Sequence, residues 1–190
     1  MKNKKGLIIA LVIIAVIAIF AGSIVSSYNS LVDERETVTN AQANIQTMLQ
    51  RRADLIPNLV NTVKGYAAHE EEVYTAIADA RSKLSGATTV DEMEKANSEL
   101  DSAISRLLVV VENYPELKAD TQFINLQDEL AGSENRISVA RKDYNDVAKA
   151  YNTHIKKFPA NIIASMFNFE QAEYFEASSE AQTAPSVNFD

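Results

Sequence analysis

The residues that could do metal or acid–base chemistry are few, and their spacing does not complete a catalytic motif. His69-Glu70 begins like the zinc-protease motif, but Val73 occupies the position of the second histidine. A di-iron bundle needs a Glu three residues before each ligating His, and Tyr66 and Tyr151 occupy those positions. We therefore interpret both histidines as solvated or capping side chains, and we predict no catalytic, cofactor-binding or metal-binding residue.

Nucleophilic and nucleotide-dependent chemistry is equally unsupported by the sequence. The chain has no cysteine, which excludes thiolate metal ligands, a cysteine nucleophile and disulfides. The glycine patterns of phosphate loops, dinucleotide sites and serine-hydrolase elbows do not occur either. These features predict a protein that is not an enzyme and that holds no cofactor.

A set of polar residues lies on or beside the apolar faces of predicted helices and has three interpretations. Interhelical ion pairs and hydrogen bonds that fix helix register are favoured over a partner-binding surface, and both over catalysis. The members are Arg51, Arg52, Asp54, Arg81, Glu112, Asn113, Glu134, Asn135, Arg136 and Arg141.

A second set, rich in aromatic residues, lies near the C-terminus. An aromatic stripe at helical spacing is typical of a core, which is the favoured interpretation. The alternative is an interfacial helix lying on a membrane, although such helices carry a cationic face that this stretch lacks. The members are Phe158, Ile162, Ile163, Met166, Phe167, Phe169, Tyr174 and Phe175.

The N-terminus predicts a membrane anchor. Residues 6–25 are uncharged and almost wholly apolar, and about 20 such residues span the roughly 30 Å core of a bilayer. The length favours a retained anchor over a signal peptide, whose apolar region is roughly 7–15 residues, although Ala21-Gly22-Ser23 resembles a cleavage site. Lysines at positions 2, 4 and 5 favour a cytoplasmic N-terminus and an extracytoplasmic remainder.

Composition predicts helices and argues against nucleic acid. The chain has only 5 Gly and 4 Pro among 190 residues, which is typical of a helical protein. Its net charge is −8, and it is −11 once the three N-terminal lysines are set aside. Such a surface repels phosphate backbones, so we predict no nucleic-acid partner.

Four amphipathic segments and a short final helix follow the anchor, with apolar residues at steps of three and four. We place them at about 28–64, 70–86, 88–114, 120–158 and 160–167. Because their connections are short, neighbouring helices should be antiparallel. The predicted class is all-α: an N-terminal transmembrane helix, then a four-helix up-and-down bundle with long first and last helices, then a short C-terminal helix.

Several stretches resemble the LemA family. They are LVDERETV, LQRRADLIPNLVNTVKGYAAHEEEV, ENYPELKAD, LAGSENRISVARKDYN and FPANIIASMFNFEQAEYFEA. The resemblance covers about residues 28–177 and the preceding anchor, with one departure at Asn168, where the family often has Gly. It implies an anchored helical bundle and no known chemistry, and relatives of the family include proteins of magnetosome membranes.

Together these observations predict a membrane-anchored scaffold or adaptor of the bacterial envelope, with an extracytoplasmic ligand-binding or sensing module as the alternative. The predicted organisation is a cytoplasmic basic N-terminus (1–5), an inner-membrane anchor that contacts lipid (6–27), a helical bundle (28–177) and a disordered tail (178–190). Other envelope proteins are the expected partners, and self-association stays open.

Overall fold

A computed structural model describes residues 2–176 of the chain, and the predicted tail at 178–190 lies outside this range. The described residues form helices and no strand, which confirms the all-α class. The helices are α1 (Lys2–Lys64), α2 (Glu71–Gly86), α3 (Val90–Val111), α4 (Pro115–Lys118), α5 (Thr121–His154) and α6 (Ala160–Met166). Their bounds follow the predicted segments, apart from the two differences described next and the end of α5, which lies at His154 where the sequence placed it at about residue 158.

The apolar segment and the first amphipathic segment form one helix, α1, where the sequence suggested two consecutive elements. The residues that join them contain neither Gly nor Pro, so nothing local ends the helix there. The N-terminal part is long and apolar enough to cross a membrane, with a mean hydropathy of 3.2 and no burial inside the protein. This exposure distinguishes it from the core helix of a soluble protein.

The second difference concerns the end of the third segment. Helix α3 ends at Val111, before the predicted stop at Pro115, and Pro115 instead occupies the first position of the short helix α4. Proline suits that position because the first N–H of a helix has no intrahelical acceptor. Leu117 of α4 is fully buried, so this extra turn contributes a side chain to the core.

Two predicted helix starts are confirmed by their side-chain bonds. The Thr89 hydroxyl accepts the Glu92 N–H, and the Glu92 carboxylate accepts the N–H groups of Thr88 and Thr89. This reciprocal pair forms a capping box, and its backbone donors lower the pKa of Glu92 to about 2. At α5, Asp120 accepts the N–H groups of Gln122 and Phe123, which lowers its own pKa.

The described chain divides into two compact units. One contains residues 2–40 and 146–172, and the other contains residues 41–145 and 173–176. The core of the first includes Leu31, Ala148 and Ile163, and each is buried. The second has the larger core, and its largest fully buried side chains are Tyr144, Phe123, Ile45, Leu49, Ile56, Leu59, Ile77, Met93, Leu100, Leu107 and Leu117.

Within the second unit, the contacts of α1 give the directions of its neighbours. The Gln46 side chain donates to the Ala87 carbonyl, and the Arg81 side chain donates to the Ala53 carbonyl. Later residues of α1 therefore contact earlier residues of α2, so the two helices are antiparallel. Gln42 of α1 bonds to Thr88, just before α3, and Arg52 bonds to Asn97 and Asp101, further along α3. Helices α1 and α3 therefore run in the same direction. These directions agree with an up-and-down order, while the complete four-helix arrangement stays a prediction.

Candidate functional site

Arg52 is the centre of the polar set that the sequence singled out. Its side chain is only 4 % exposed, although the guanidinium is always charged in proteins. One terminal nitrogen donates to the Asn97 side-chain oxygen at 2.7 Å and to the Glu134 carboxylate, and the other donates to Asp101. One cation on α1 is therefore bonded to side chains on both α3 and α5.

Two of these partners, Asn97 and Asp101, were missed by the sequence analysis. Asn97 is almost completely buried and donates its amide N–H to the second oxygen of Asp101 at 3.1 Å. A signal was present in the sequence, because Asn97 follows Met93 by four residues and so lies on the apolar stripe of α3. A buried polar residue needs a partner, and a charged one on a neighbouring helix satisfies it.

The predicted polar set separates into several groups in the structure. Arg52 forms an ion pair with Glu134, and the Arg81 Nη2 lies 3.9 Å from the Asp54 Oδ1. Glu112 pairs with Lys118, which was not in the set, and the Arg141 guanidinium lies 5.5 Å from the centre of the Phe175 ring. The remaining members are exposed: Arg51, Asn113, Asn135 and Arg136.

Arg81 also repairs a defect that a proline leaves in α1. Pro57 has no N–H, so the carbonyl four residues earlier, that of Ala53, loses its helical hydrogen bond. Ala53 is fully buried, where an unpaired carbonyl is costly. The Arg81 Nε on α2 donates to this carbonyl at 2.8 Å. The arginine thus replaces the missing backbone donor and ties α2 to α1.

The two histidines lie on different elements of the chain. His69 is exposed in the connection between α1 and α2. His154 lies in the last turn of α5, and its Nδ1 is 2.8 Å from the Glu34 carboxylate of α1. Across residues 2–176, no group of three or more His, Asp or Glu is placed to hold a metal ion.

A second polar arrangement, which the sequence analysis also missed, holds the non-helical segment at 169–176; we name this segment the strap. In the first unit, the Asn152 amide bonds the strap backbone twice. It donates to the Ala172 carbonyl and accepts the Ala172 N–H, both at 2.8 Å. The Tyr151 hydroxyl donates to the Glu170 carbonyl at 2.9 Å. Backbone groups that have no strand partner are thereby satisfied.

The same pattern recurs in the second unit, one heptad earlier on α5. The Asn145 amide accepts the Phe175 N–H and donates to the Phe175 carbonyl, while the Tyr144 hydroxyl donates to the Glu173 carbonyl. The two Tyr-Asn pairs are seven residues apart and their acceptors three residues apart.

This Tyr-Asn repeat could have been found as a heptad repetition of the same dipeptide on α5. Helical spacing places both tyrosines on the apolar stripe of α5, and an asparagine directly follows each of them. Tyr144 and Tyr151 are indeed buried, and burial raises the pKa of both phenols. Their rings therefore act as core while their hydroxyls bind backbone, which is the usual behaviour of buried tyrosine.

The aromatic C-terminal set divides between the two interpretations. Ile163, Phe169 and Phe175 are buried, as expected for core. Phe158, Ile162, Met166, Phe167 and Tyr174 are exposed, which a core does not explain. Asn168 has a φ of 56°, in the left-handed region that Gly favours and Asn tolerates. The departure at this position therefore keeps the turn.

Known proteins resemble this chain over most of its length. The model of the LemA family matches residues 41–189. Magnetosome protein MamQ 2 of Paramagnetospirillum magneticum is 28 % identical over 207 residues, covering 94 % of this chain and 76 % of the relative. Magnetosome protein MamQ of Magnetospirillum gryphiswaldense is 25 % identical, covering 96 % and 76 %. Protein LemA of Metamycoplasma hominis is 29 % identical, covering 87 % and 76 %.

Proposed function

Because this chain belongs to the LemA family, we propose that it is a non-enzymatic scaffold or adaptor, anchored in a membrane, that holds other proteins of the bacterial envelope. The anchor is the N-terminal part of α1, which is apolar and unburied. In this proposal the anchor restricts the helical domain to the membrane surface. The domain then offers fixed helix faces to its partners.

One observation carries the proposal: the bonds of Arg52. An arginine, an asparagine and two carboxylates from three helices could supply chemistry if they opened onto a pocket. Both terminal nitrogens of the Arg52 guanidinium instead donate to the other three side chains, between helices packed around an apolar core. Groups used in this way fix helix register, which supports a binding body of defined shape over a reaction centre.

The proposed location is the inner membrane, with residues 1–5 in the cytoplasm and everything after the anchor outside it. The lysines before the apolar segment support this orientation, since short cationic flanks stay on the cytoplasmic side. Two of these relatives carry the name magnetosome protein. We take those names as support for a role in an assembled cell structure, without assigning that structure to this chain.

The proposal is tested by capture from living cells. Photo-reactive residues at the exposed positions Val109 and Val139 should crosslink to specific envelope proteins. The same proteins should be captured when residues 6–27 are exchanged for an unrelated membrane anchor, because recruitment is assigned to the helical domain. A chain reduced to the native anchor fused to an unrelated soluble domain is the control and should capture none of them.

Three outcomes separate the alternatives. Capture that depends on the helical domain supports the scaffold. Capture that follows the native anchor alone contradicts recruitment by the domain. If neither form captures a protein, the adaptor is contradicted and a ligand-binding or sensing module becomes the better hypothesis. That module would need a cavity between helices lined by converging polar groups.

A further inference from the structure

We propose that the outer face of α6 is a second membrane contact, which lies in the interfacial layer of the same bilayer that holds the anchor. The observation is a set of large apolar side chains that the first unit leaves uncovered. Phe158 is 80 % exposed, Ile162 50 %, Met166 67 % and Phe167 49 %. Single exposed apolar residues are common, but four within ten residues mark an interaction surface.

Two of these side chains share one side of α6. Ile162 and Met166 are four residues apart, which brings them to the same face of the helix, while Phe158 lies in the turn before α6 and Phe167 directly after it. The opposite face consists of Ala160, Ile163 and Ala164, and all three are buried. Helix α6 therefore buries one apolar face and exposes Ile162 and Met166 beside the polar Asn161 and Ser165, and the protein core accounts only for the buried face. We name the exposed set, Phe158, Ile162, Met166 and Phe167, the outer face.

The position of the outer face along α1 selects its occupant. Tyr28 follows the last residue of the apolar segment, Val25, by three residues, or about 4.5 Å of helix. The interfacial layer is roughly 5–8 Å thick on each side of the hydrocarbon core. Tyr28 therefore lies within it, where tyrosine is enriched in membrane proteins.

Ring contacts bring α6 to the same depth. The centre of the Tyr28 ring is 4.8 Å from that of Phe167 and 5.7 Å from that of Phe169. The left-handed backbone at Asn168 lies between these two phenylalanines and turns the chain there. All four residues belong to the first unit. A lipid contact by α6 is thus continuous with the lipid contact of the anchor.

Charge is consistent with a lipid surface. Lys156 and Lys157 are exposed and directly precede the outer face, where they could meet anionic head groups. A second copy of the chain or a protein partner could also cover apolar residues, but neither would require the face to lie beside the end of the anchor. The inference rests on the proposed retention of the anchor and is independent of the scaffold role.

Tryptophan fluorescence tests the inference, because the chain has no tryptophan of its own. Phe158→Trp and Met166→Trp would be made separately in the full-length protein, in vesicles of phosphatidylethanolamine and phosphatidylglycerol. Both variants should show blue-shifted tryptophan emission, and brominated acyl chains should quench most of its intensity. Phe20→Trp, in the anchor, is the positive control. Glu36→Trp, exposed on α1 about 12 Å beyond Tyr28, is the negative control.

Each result has one meaning. Quenching at positions 20, 158 and 166, with position 36 unaffected, supports the lipid contact. Quenching at position 20 alone overturns it while leaving the anchor intact. Blue-shifted emission at 158 and 166 without quenching also overturns it, and dependence on the protein-to-lipid ratio would then identify a second copy. Loss of quenching at position 20 itself would contradict the anchor on which both proposals depend. Two tryptophan positions keep the test valid if one variant misfolds.

Discussion

Replacing Arg52 with alanine should lower the free energy of unfolding by about 3 kcal/mol, the lower end of the cost of breaking a buried ion pair. The lower end applies because Asp101 and Glu134 have side chains 44 % and 37 % exposed, so water can solvate both carboxylates after the change. Asn97 has no such recourse, since it is buried and loses its bond to the guanidinium. The remaining cost is the void left by the arginine stem.

Thermal unfolding of the full-length protein in detergent, followed by circular dichroism, measures this effect. A loss of about 3 kcal/mol corresponds to a Tm lowered by roughly 6–12 °C for a chain of this size. The matched control is Arg51→Ala, since Arg51 is the exposed neighbour of the same residue type, and it should change stability by no more than about 0.5 kcal/mol. Equal melting curves for both variants, together with loss of crosslinked partners from Arg52→Ala, would show that Arg52 serves binding and not register.

Replacing Asn152 with alanine should release the first half of the strap. The amide of Asn152 supplies both a donor and an acceptor to Ala172, and the side chain is itself buried. Its loss leaves one N–H and one carbonyl without their partners, at a cost of about 2–3 kcal/mol. Opening of the strap should therefore become roughly 30- to 150-fold more frequent, since each 1.4 kcal/mol is a factor of ten.

Hydrogen exchange resolved by peptide measures this opening directly. Amides of residues 169–172 should exchange faster by the stated factor, while those of α2 and α3 keep their wild-type rates. Thr153→Ala changes the exposed neighbour on the same helix and should leave exchange of the strap unaltered. Faster exchange throughout the chain would contradict a local role, and unchanged exchange at 169–172 would show that the two bonds do not hold this half of the strap.

Most of the helices could be predicted because the signals for them are local. The spacing of apolar residues, the hydroxyl of Thr89 and the carboxylate of Asp120 each act within one or two helical turns. The long apolar helix at the N-terminus was equally predictable, since its length and composition are read directly from the sequence. The joining of anchor and first amphipathic segment into one helix also follows from local sequence, namely the lack of Gly and Pro between them.

The partners of the polar residues could not be predicted in the same way, because they depend on register between helices. The sequence indicated that Arg52 serves structure, and its burial supports that interpretation. The sequence did not indicate Asp101, which resembles an ordinary solvated acid on the surface of α3. Similarly, Pro57 leaves the Ala53 carbonyl without its helical donor, but only the packing of α2 shows that Arg81 supplies one.

The strap was missed for a different reason. Its residues have no helical period, so the sequence analysis weighed them only as an aromatic stripe. Extended segments outside sheets need side-chain partners for their backbone, and those partners lie 19–30 residues earlier on α5. The paired Tyr-Asn spacing on the helix was the available signal, and it is meaningful only when a second chain segment is known to lie against it.

The central proposal is that a single N-terminal span holds every helix after α1 outside the cytoplasm. Because the chain has no cysteine, Asn3→Cys and Ser82→Cys would each provide a unique label site, one before the span and one on an exposed position of α2. A membrane-impermeant maleimide would be added to cells whose outer barrier, where there is one, has been opened. We expect labelling at position 82, and none at position 3 until the inner membrane is lysed. Labelling at position 3 with protection at position 82 would contradict it.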